Sequence, residues 1–289
     1  MKQQSSKVRA LITEAEYSLV KGPHPERARL DAEALLLHIF RENAPERNRA
    51  WLVAHWNSPT GHGAEFRALI ERRLAGEPIQ YIIGEAEFYG LPFRVTRDVL
   101  IPRPETEYLV EKVLELTASF TAPRIVDIGT GSGAIAVVLA HKLPGARLTA
   151  TDLSAPALKI ARQNAVRNGV ARIRFLLGDL LAPVAEERFD IIVSNPPYVP
   201  TADRATLSVE VREYEPALAL FAGDDGLDVY RRLIPAAFDA LKPGGFVALE
   251  IGYGQSISII ELLARSGFQR VEFIPDLQGI PRVACAQRP

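Results

Sequence analysis

Asn195-Pro196-Pro197-Tyr198 follow the largely apolar run Phe189–Ser194 and carry groups suited to gripping a planar nitrogen. Asn195 offers a side-chain carbonyl. The two prolines have no N–H, so the carbonyls of this turn are less readily consumed by a helix or a strand ladder. Two such carbonyls can accept both hydrogens of an –NH2 group. Tyr198 adds an aromatic face that suits a cation or a flat substrate. The same four residues also make a serviceable strand-ending turn, so their chemistry depends on what the chain places beside them.

Upstream, Arg124-Ile125-Val126-Asp127-Ile128 reads as a short buried strand, followed by Gly129-Thr130-Gly131-Ser132-Gly133 and an apolar helical run from Ala134 to Ala140. Strand, glycine turn and helix together form a ligand-binding corner, since glycine lets the backbone approach a ligand closely. The spacing is G-x-G-x-G and not the G-x-G-x-x-G of dinucleotide sites, which weakens a pyrophosphate reading. The next strand, Arg147–Thr151, ends in Asp152, about 20 residues beyond the glycine loop, where an acid can accept both ribose hydroxyls. A third strand, Ile173–Leu177, ends in Gly178-Asp179-Leu180. Asp179 is suited to accept from an adenine amino group, and Leu180 to pack on the ring.

Strand and helix patterns alternate from Arg124 onward, which implies a mostly parallel sheet with helices on both faces. After Tyr198 comes an irregular stretch through Glu210, Glu213, Tyr214, Glu215 and Pro216, a candidate lid. A helix is expected over 226–241, a fifth strand over 246–251, a last helix over 256–266, and two terminal strands around 269–274 and 282–286. The first 75 or so residues read as helical. Leu30, Ala34 and Leu37 follow the i, i+4, i+7 spacing of an apolar face, Pro45 marks the start of another helix, and a further one runs through Phe66, Leu69, Ile70 and Leu74. Segments 78–84 and 87–95, rich in β-branched and aromatic residues with glycine breaks, suggest a β-hairpin linker. The expected organisation is a helical bundle over 1–76, a linker over 77–103 and a catalytic domain over 104–289. Arg103 stands between Pro102 and Pro104, placed to meet a carboxylate or seal a site. The following acids are ordinary helix-start chemistry.

The 289 residues balance 34 Lys and Arg against 35 Asp and Glu. Residues 1–85 hold 12 against 11 and the remainder 22 against 24, so neither part argues for a nucleic-acid partner. Arg67, Arg72 and Arg73 make a local basic group, for which a solvated helix face is the simpler account. No apolar run approaches the roughly 20 residues of a membrane span. The stretch Met1–Ser6 lacks the apolar core of a secretory signal, and Cys285 is a single cysteine, so a cytoplasmic protein is expected. The five His and one Cys suggest no metal cluster.

The combination of D-I-G-T-G-S-G, the acid ending the second strand, G-D after the third and N-P-P-Y after the fourth resembles the class I S-adenosylmethionine-dependent methyltransferases. In that family N-P-P-Y marks enzymes that methylate amide or exocyclic amino nitrogens, poor nucleophiles whose lone pair is delocalised. The motif does not choose between adenine and glutamine. Further segments do: 76–84, 87–91, Val99 through I-P-R-P-E-T-E to Glu107, and 214–220 with 223–227 are similar to the peptide chain release factor glutamine methyltransferases. The resemblance implies a Rossmann-like sheet ending in an antiparallel hairpin, with a small N-terminal helical domain. It implies N5-methylation of the glutamine in the Gly-Gly-Gln loop of a release factor, with S-adenosylmethionine as cofactor and no metal. On that basis Asp127 and Gly129 through Gly133, with Thr130, Gly131 and Ser132 between, belong to the cofactor site and cradle the methionine part. Asp152 holds the ribose, and Asp179 with Leu180 flanks the adenine. Asn195, also beside the cofactor, and the Pro196 carbonyl grip the glutamine amide; Tyr198 and Pro197 shape its slot, and Arg103 borders it. A glutamine methyltransferase acting on a ribosomal protein, an adenine N6-methyltransferase, and a binding protein that retains cofactor without turnover remain alternatives.

Overall fold

The computed structural model describes residues 6–289, and these form two compact units. One unit takes the chain up to Gly84 together with residues 208–214; the other takes residues 85–207 and 215–289. Among the described residues no helix is long and apolar enough to cross a membrane.

In the first unit, β1 (Ser6–Lys7) pairs antiparallel with β2 (Pro59–Thr60), and five helices follow the chain: α1 (Val8–Leu19), α2 (Ala28–Arg41), α3 (Arg49–Ala54), α4 (Gly63–Leu74) and α5 (Ile79–Ile83). Their core holds Leu11, Ile12, Leu35, Leu36, Ile39 and Phe66. The buried side of α2 departs from the Leu30, Ala34 and Leu37 spacing at Leu30, which is 51% exposed; Leu37 is buried, Ala34 packs against the core, and Ala32, Leu35, Leu36 and Ile39 line it. Asp31 disguises part of that side in the sequence, because it is buried as well and its charge is met by buried Arg73 at 2.7 Å. Helix α3 starts later than Pro45 suggests, with the Asn48 side chain capping it by accepting from the Trp51 N–H at 3.0 Å. The expected strand at 78–84 is the helix α5, ended by Gly84 in the left-handed conformation. Its β-branched residues are outweighed by burial, since Ile79 and Ile82 join the helical core.

The three arginines of the local basic group are neutralised within this unit. Arg67 meets Glu14, Arg72 meets Glu77, and Arg73 meets both Asp31 and Glu210. Glu210 also reaches His24 at 3.1 Å, so residues 208–214 are held by an ion-pair cluster. The phenol of Tyr214 adds a hydrogen bond to the Ala75 carbonyl at 3.0 Å.

The second unit opens with the hairpin β3 (Glu85–Phe88) and β4 (Leu91–Arg94). Its two-residue turn, Tyr89-Gly90, has positive φ at both positions, the twist that closes a tight antiparallel hairpin. Then come α6 (Thr106–Thr117), β5 (Arg124–Ile128), α7 (Ala134–Lys142), β6 (Arg147–Asp152), α8 (Ala155–Arg167), β7 (Arg174–Leu177) and β8 (Phe189–Ser194). The chain visits the first unit as α9 (Val209–Tyr214) and returns for α10 (Asp228–Ala240), β9 (Leu241–Glu250), α11 (Ser256–Arg265), β10 (Gln269–Pro275) and β11 (Pro281–Gln287).

Among the described residues seven strands form one sheet in the order β10-β11-β9-β8-β5-β6-β7. The five strands β7, β6, β5, β8 and β9 run parallel; β11 is antiparallel to β9 and to β10. Both faces are apolar, and the period of two is explicit. Ile125, Ile191 and Val193 face a core built with α6 and α7, while Val126, Ile128 and Ile192 face a core built with α10 and α11. Helix α7 is buried from Ala134 to Ala140, as its unbroken apolar run requires. Strand β9 begins at Leu241, five residues before the expected start. The register against β8 shifts between Phe189 and Ile191, and this irregularity accommodates Gly244 and Gly245. Cys285 is buried in β11, as a small apolar-like residue.

Candidate active site

The chain runs β5, β6, β7 toward one edge of the sheet, then returns to place β8 and β9 on the other side of β5. The crevice between the carboxyl ends of β5 and β8 is therefore a topological switch point, where open α/β sheets bind ligands. The glycine loop follows β5 and Asn195 follows β8, so both motifs arrive at this crevice. The Ser194 hydroxyl donates to the Ile128 carbonyl at 2.7 Å and fastens the two strand ends together. A cavity of ≈ 260 Å³ lies there, lined by the glycine loop, Asp152, Leu180, Asn195 and Pro197 among others.

The loop Gly129–Gly133 is shaped by backbone bonds. The N–H groups of Gly129 and Thr130 both donate to the Thr151 carbonyl, at 2.9 and 3.0 Å. Gly131 has φ +54 with open space where a Cβ would stand, while Gly133 has φ +82 and a Cβ there would sit 3.1 Å from the Ala161 Cβ. The first glycine keeps the backbone open toward the cavity, and the second lets α8 approach the loop. Asp152 connects the loop to β6: one carboxylate oxygen accepts from the Gly131 N–H and the other from the Ser154 N–H, both at 2.8 Å. Each oxygen retains acceptor capacity. Burial raises the Asp152 carboxyl above its ordinary value, and the N–H groups of Ser154 and Gly131 pull it back.

Asp127 stands beneath the loop, fully buried, with Oδ2 accepting from the Thr130 hydroxyl at 2.6 Å. Its Oδ1 has no hydrogen-bond partner among the described residues, although the Ala136 N–H at the start of α7 faces the carboxylate. Burial pushes this carboxyl up to about 7, against the opposing pull of Thr130 and Ala136. Asp179 lies at the cavity rim and is ion-paired with Arg232 on α10. Leu180, at φ +47, lines the cavity and receives a hydrogen bond from the Thr151 hydroxyl on its carbonyl, at 2.9 Å. Arg103 has found its carboxylate within the chain: one guanidinium nitrogen, Nη2, bridges both oxygens of the buried Glu215 at 2.7 Å.

The Asn195 side chain is fixed by residues that the motif alone does not announce. Its Nδ2 donates to the Thr106 hydroxyl at 3.1 Å, and that hydroxyl donates to Glu250 Oε2 at 2.6 Å. The phenol of Tyr198 donates to the other oxygen of Glu250 at 3.2 Å. The amide is thus turned with its N–H2 end toward Thr106, leaving Oδ1 as the end available to a ligand. The backbone of the turn is held just as closely: the Tyr198 carbonyl accepts from Gln255 Nε2 at 3.0 Å, and a Cβ on Gly226 would approach it to 2.2 Å. Burial raises the Tyr198 phenol well above its ordinary range, with the neighbouring Glu250 carboxylate adding to the shift. Neither Thr106 nor Glu250 is singled out by the sequence pattern. An acid inside the apolar strand 246–251 was the available signal, because a buried carboxylate needs partners.

The glycine loop, the acid ending β6 and the antiparallel terminal strands define the class I methyltransferase fold. Residues 105–211 match the family described as Methyltransferase small domain, and residues 11–84 match the PrmC N-terminal domain. The release factor glutamine methyltransferase of Geobacter sulfurreducens is 45% identical over 260 residues, covering 89% of each chain. That of Deinococcus radiodurans is 42% identical over 285 residues, covering 97% of this chain and 98% of its own. A crystal structure of a methyltransferase from Pyrococcus furiosus, 22% identical, superposes with a TM-score of 0.50 over 78% of this chain and 98% of its own, and shares the fold. The chain belongs to the release factor glutamine methyltransferase family.

Proposed function

We propose that this protein transfers a methyl group from S-adenosylmethionine to the side-chain amide nitrogen of the glutamine in the Gly-Gly-Gln loop of a peptide chain release factor. The observation that carries the reading is the orientation of Asn195: its carbonyl is the free end, beside a cavity that the glycine loop and Asp152 also line. Membership of the family supplies the substrate class.

The residues present fit the cofactor. The cavity offers a carboxylate with spare acceptor capacity for two ribose hydroxyls, an open glycine backbone for the methionine part, and Leu180 as an apolar wall for the adenine. Asp179 takes the rim position near the base, sharing its charge with Arg232. Asp127 acts from below, holding Thr130 and with it the conformation of the loop. Bound there, S-adenosylmethionine supplies an electrophilic methyl group on a sulfonium.

The protein's contribution is positioning. Asn195 Oδ1 and the Pro196 carbonyl accept the two amide hydrogens, which fixes the nitrogen and favours its pyramidal, nucleophilic form. Orientation of this kind is worth several kcal/mol of the barrier, on the order of 7 to 11 in well-arranged systems. Pro197 and Tyr198 give the slot its walls, and Arg103 borders it from the salt bridge with Glu215. The methylated nitrogen is transiently cationic and strongly acidic, so its proton leaves to water without a dedicated base.

The experiment offers labelled S-adenosylmethionine with a purified release factor, its loop Gln→Ala form, a ribosomal-protein fraction, DNA and tRNA. Label on the wild-type factor alone supports the reading. Label on ribosomal protein or nucleic acid overturns the substrate.

A further inference from the structure

We propose that Glu250, acting through Thr106, is the positioning residue that decides which end of the Asn195 amide faces the substrate. The inference rests on the reading above, in which Asn195 must present a carbonyl.

A threonine hydroxyl has one proton to give and two lone pairs to receive with. The 2.6 Å separation of Thr106 Oγ1 from Glu250 Oε2 is the short contact of a hydroxyl donating to a carboxylate. Its proton being spent there, Oγ1 can only accept at 3.1 Å from Asn195. The amide must then turn its N–H2 end to Thr106 and its oxygen outward. Protonated Glu250 reverses the first bond, because the carboxylic acid donates to Thr106 and releases the threonine proton. Thr106 then accommodates either end of the amide. An Asn195 that has flipped presents N–H2 to an incoming –NH2 group, donor against donor, and cannot hold it.

The surroundings of Glu250 suit this task. The residue is 2% exposed at the end of β9, and Leu249 before it pairs with Ser194, the residue preceding Asn195. The Tyr230 phenol of α10 donates to the Glu250 main-chain carbonyl at 2.6 Å and fixes its backbone. Its oxygens face Thr106 of α6 and Tyr198. The nearby charges are Glu105, which disfavours ionisation, and Arg282 of β11, which favours it; Arg103 acts on the adjoining Tyr198. Burial dominates and raises the carboxyl to about 7, so both forms of the switch are within reach of neutral pH.

The test follows initial rates from pH 5.5 to 9 for wild type, Glu250→Gln, Thr106→Ser and Thr106→Val, with cofactor KM, melting temperature and the side-chain amide resonances of Asn195. Wild-type kcat should rise about tenfold per pH unit below neutrality, as for a single essential ionisation, and then level off. Glu250→Gln should lower kcat, abolish the step and leave cofactor KM unchanged. Thr106→Val should lower kcat as far, and Thr106→Ser should restore it. The Asn195 resonances should titrate near neutrality in wild type and stay fixed in Glu250→Gln, and this readout needs no substrate. If wild type methylates no release factor, the functional reading fails while the resonances still decide the positioning role. A pH step that persists in Glu250→Gln, wild-type kcat in Thr106→Val, or kcat falling together with cofactor affinity and melting temperature would overturn the inference.

Discussion

Arg103 and Glu215 are 112 positions apart in sequence, yet one guanidinium nitrogen bridges both oxygens of the buried carboxylate. Glu215 opens the segment that carries Pro216, Leu218 and Ala219 to the cavity. Because Arg103 keeps about a third of its side chain exposed, the pair contributes less than a fully buried one, which costs about 3 to 5 kcal/mol to break. Arg103→Ala should lower stability by about 2 kcal/mol and weaken cofactor binding, since the segment beyond Glu215 loses its anchor. Arg103→Lys should recover part of both, because a single nitrogen makes both contacts. Denaturant titration and calorimetric binding of S-adenosylhomocysteine check this; an Ala variant with unchanged affinity would separate the ion pair from the cavity.

Two glycines of one loop should fail differently. Gly133→Ala combines a left-handed backbone with a Cβ 3.1 Å from Ala161, and should destabilise by about 2 to 4 kcal/mol through strain and overpacking. Gly131→Ala meets open space and should cost only about 1 to 2 kcal/mol, from its backbone conformation. Its added methyl stands at the cavity, so the larger loss should be in cofactor affinity. Melting temperature and cofactor titration on the two variants should rank in opposite orders.

Much of this site was legible in the sequence. Asn195, the glycine loop and Asp152 end strands whose apolar runs are short and bounded by turns, so the sheet order and the crevice follow from topology rules. Helix α5 was not legible, because its β-branched residues point to strand and only contact with α2 and α4 makes it helical. Part of the buried face of α2 was hidden by an internal ion pair, Asp31 with Arg73, that no local pattern shows. Thr106 and Glu250 lie 144 positions apart, and nothing in either segment announces the other. Nor does the stretch after Tyr198 announce that residues 208–214 belong with the N-terminal helices.

Stability of the ligand-free protein should fall as pH rises from about 5 to 8. Asp127 and Glu250 are both raised to about 7, from ordinary values of 3.8 and 4.5. The folded chain therefore binds more protons than the unfolded chain in this window. Their stabilising contribution is complete below the ordinary values and is lost as pH passes through about 7, at up to roughly 1.4 kcal/mol per pH unit for each group. Glu33 and Asp276, whose carboxyls are lowered, lose their contribution only at more acid pH and do not oppose the trend. Urea denaturation across this range should show the fall, and Asp127→Asn should make it shallower. A stability that climbs with pH would contradict the buried-carboxyl assignment. If Glu250 must be ionised to orient Asn195, the site works best where the fold is less stable.

The central claim is that the free carbonyl of Asn195 and its neighbours methylate one particular amide nitrogen. Peptide mass spectrometry of a release factor, after incubation with S-adenosylmethionine and either wild-type or Asn195→Ala enzyme, measures that directly. One added methyl confined to the loop glutamine, formed by wild type and slowed by roughly a hundredfold or more in the variant, is the predicted result, in line with the loss of one preorganised transition-state contact. A methyl on another residue, or equal methylation by the two enzymes, would contradict it.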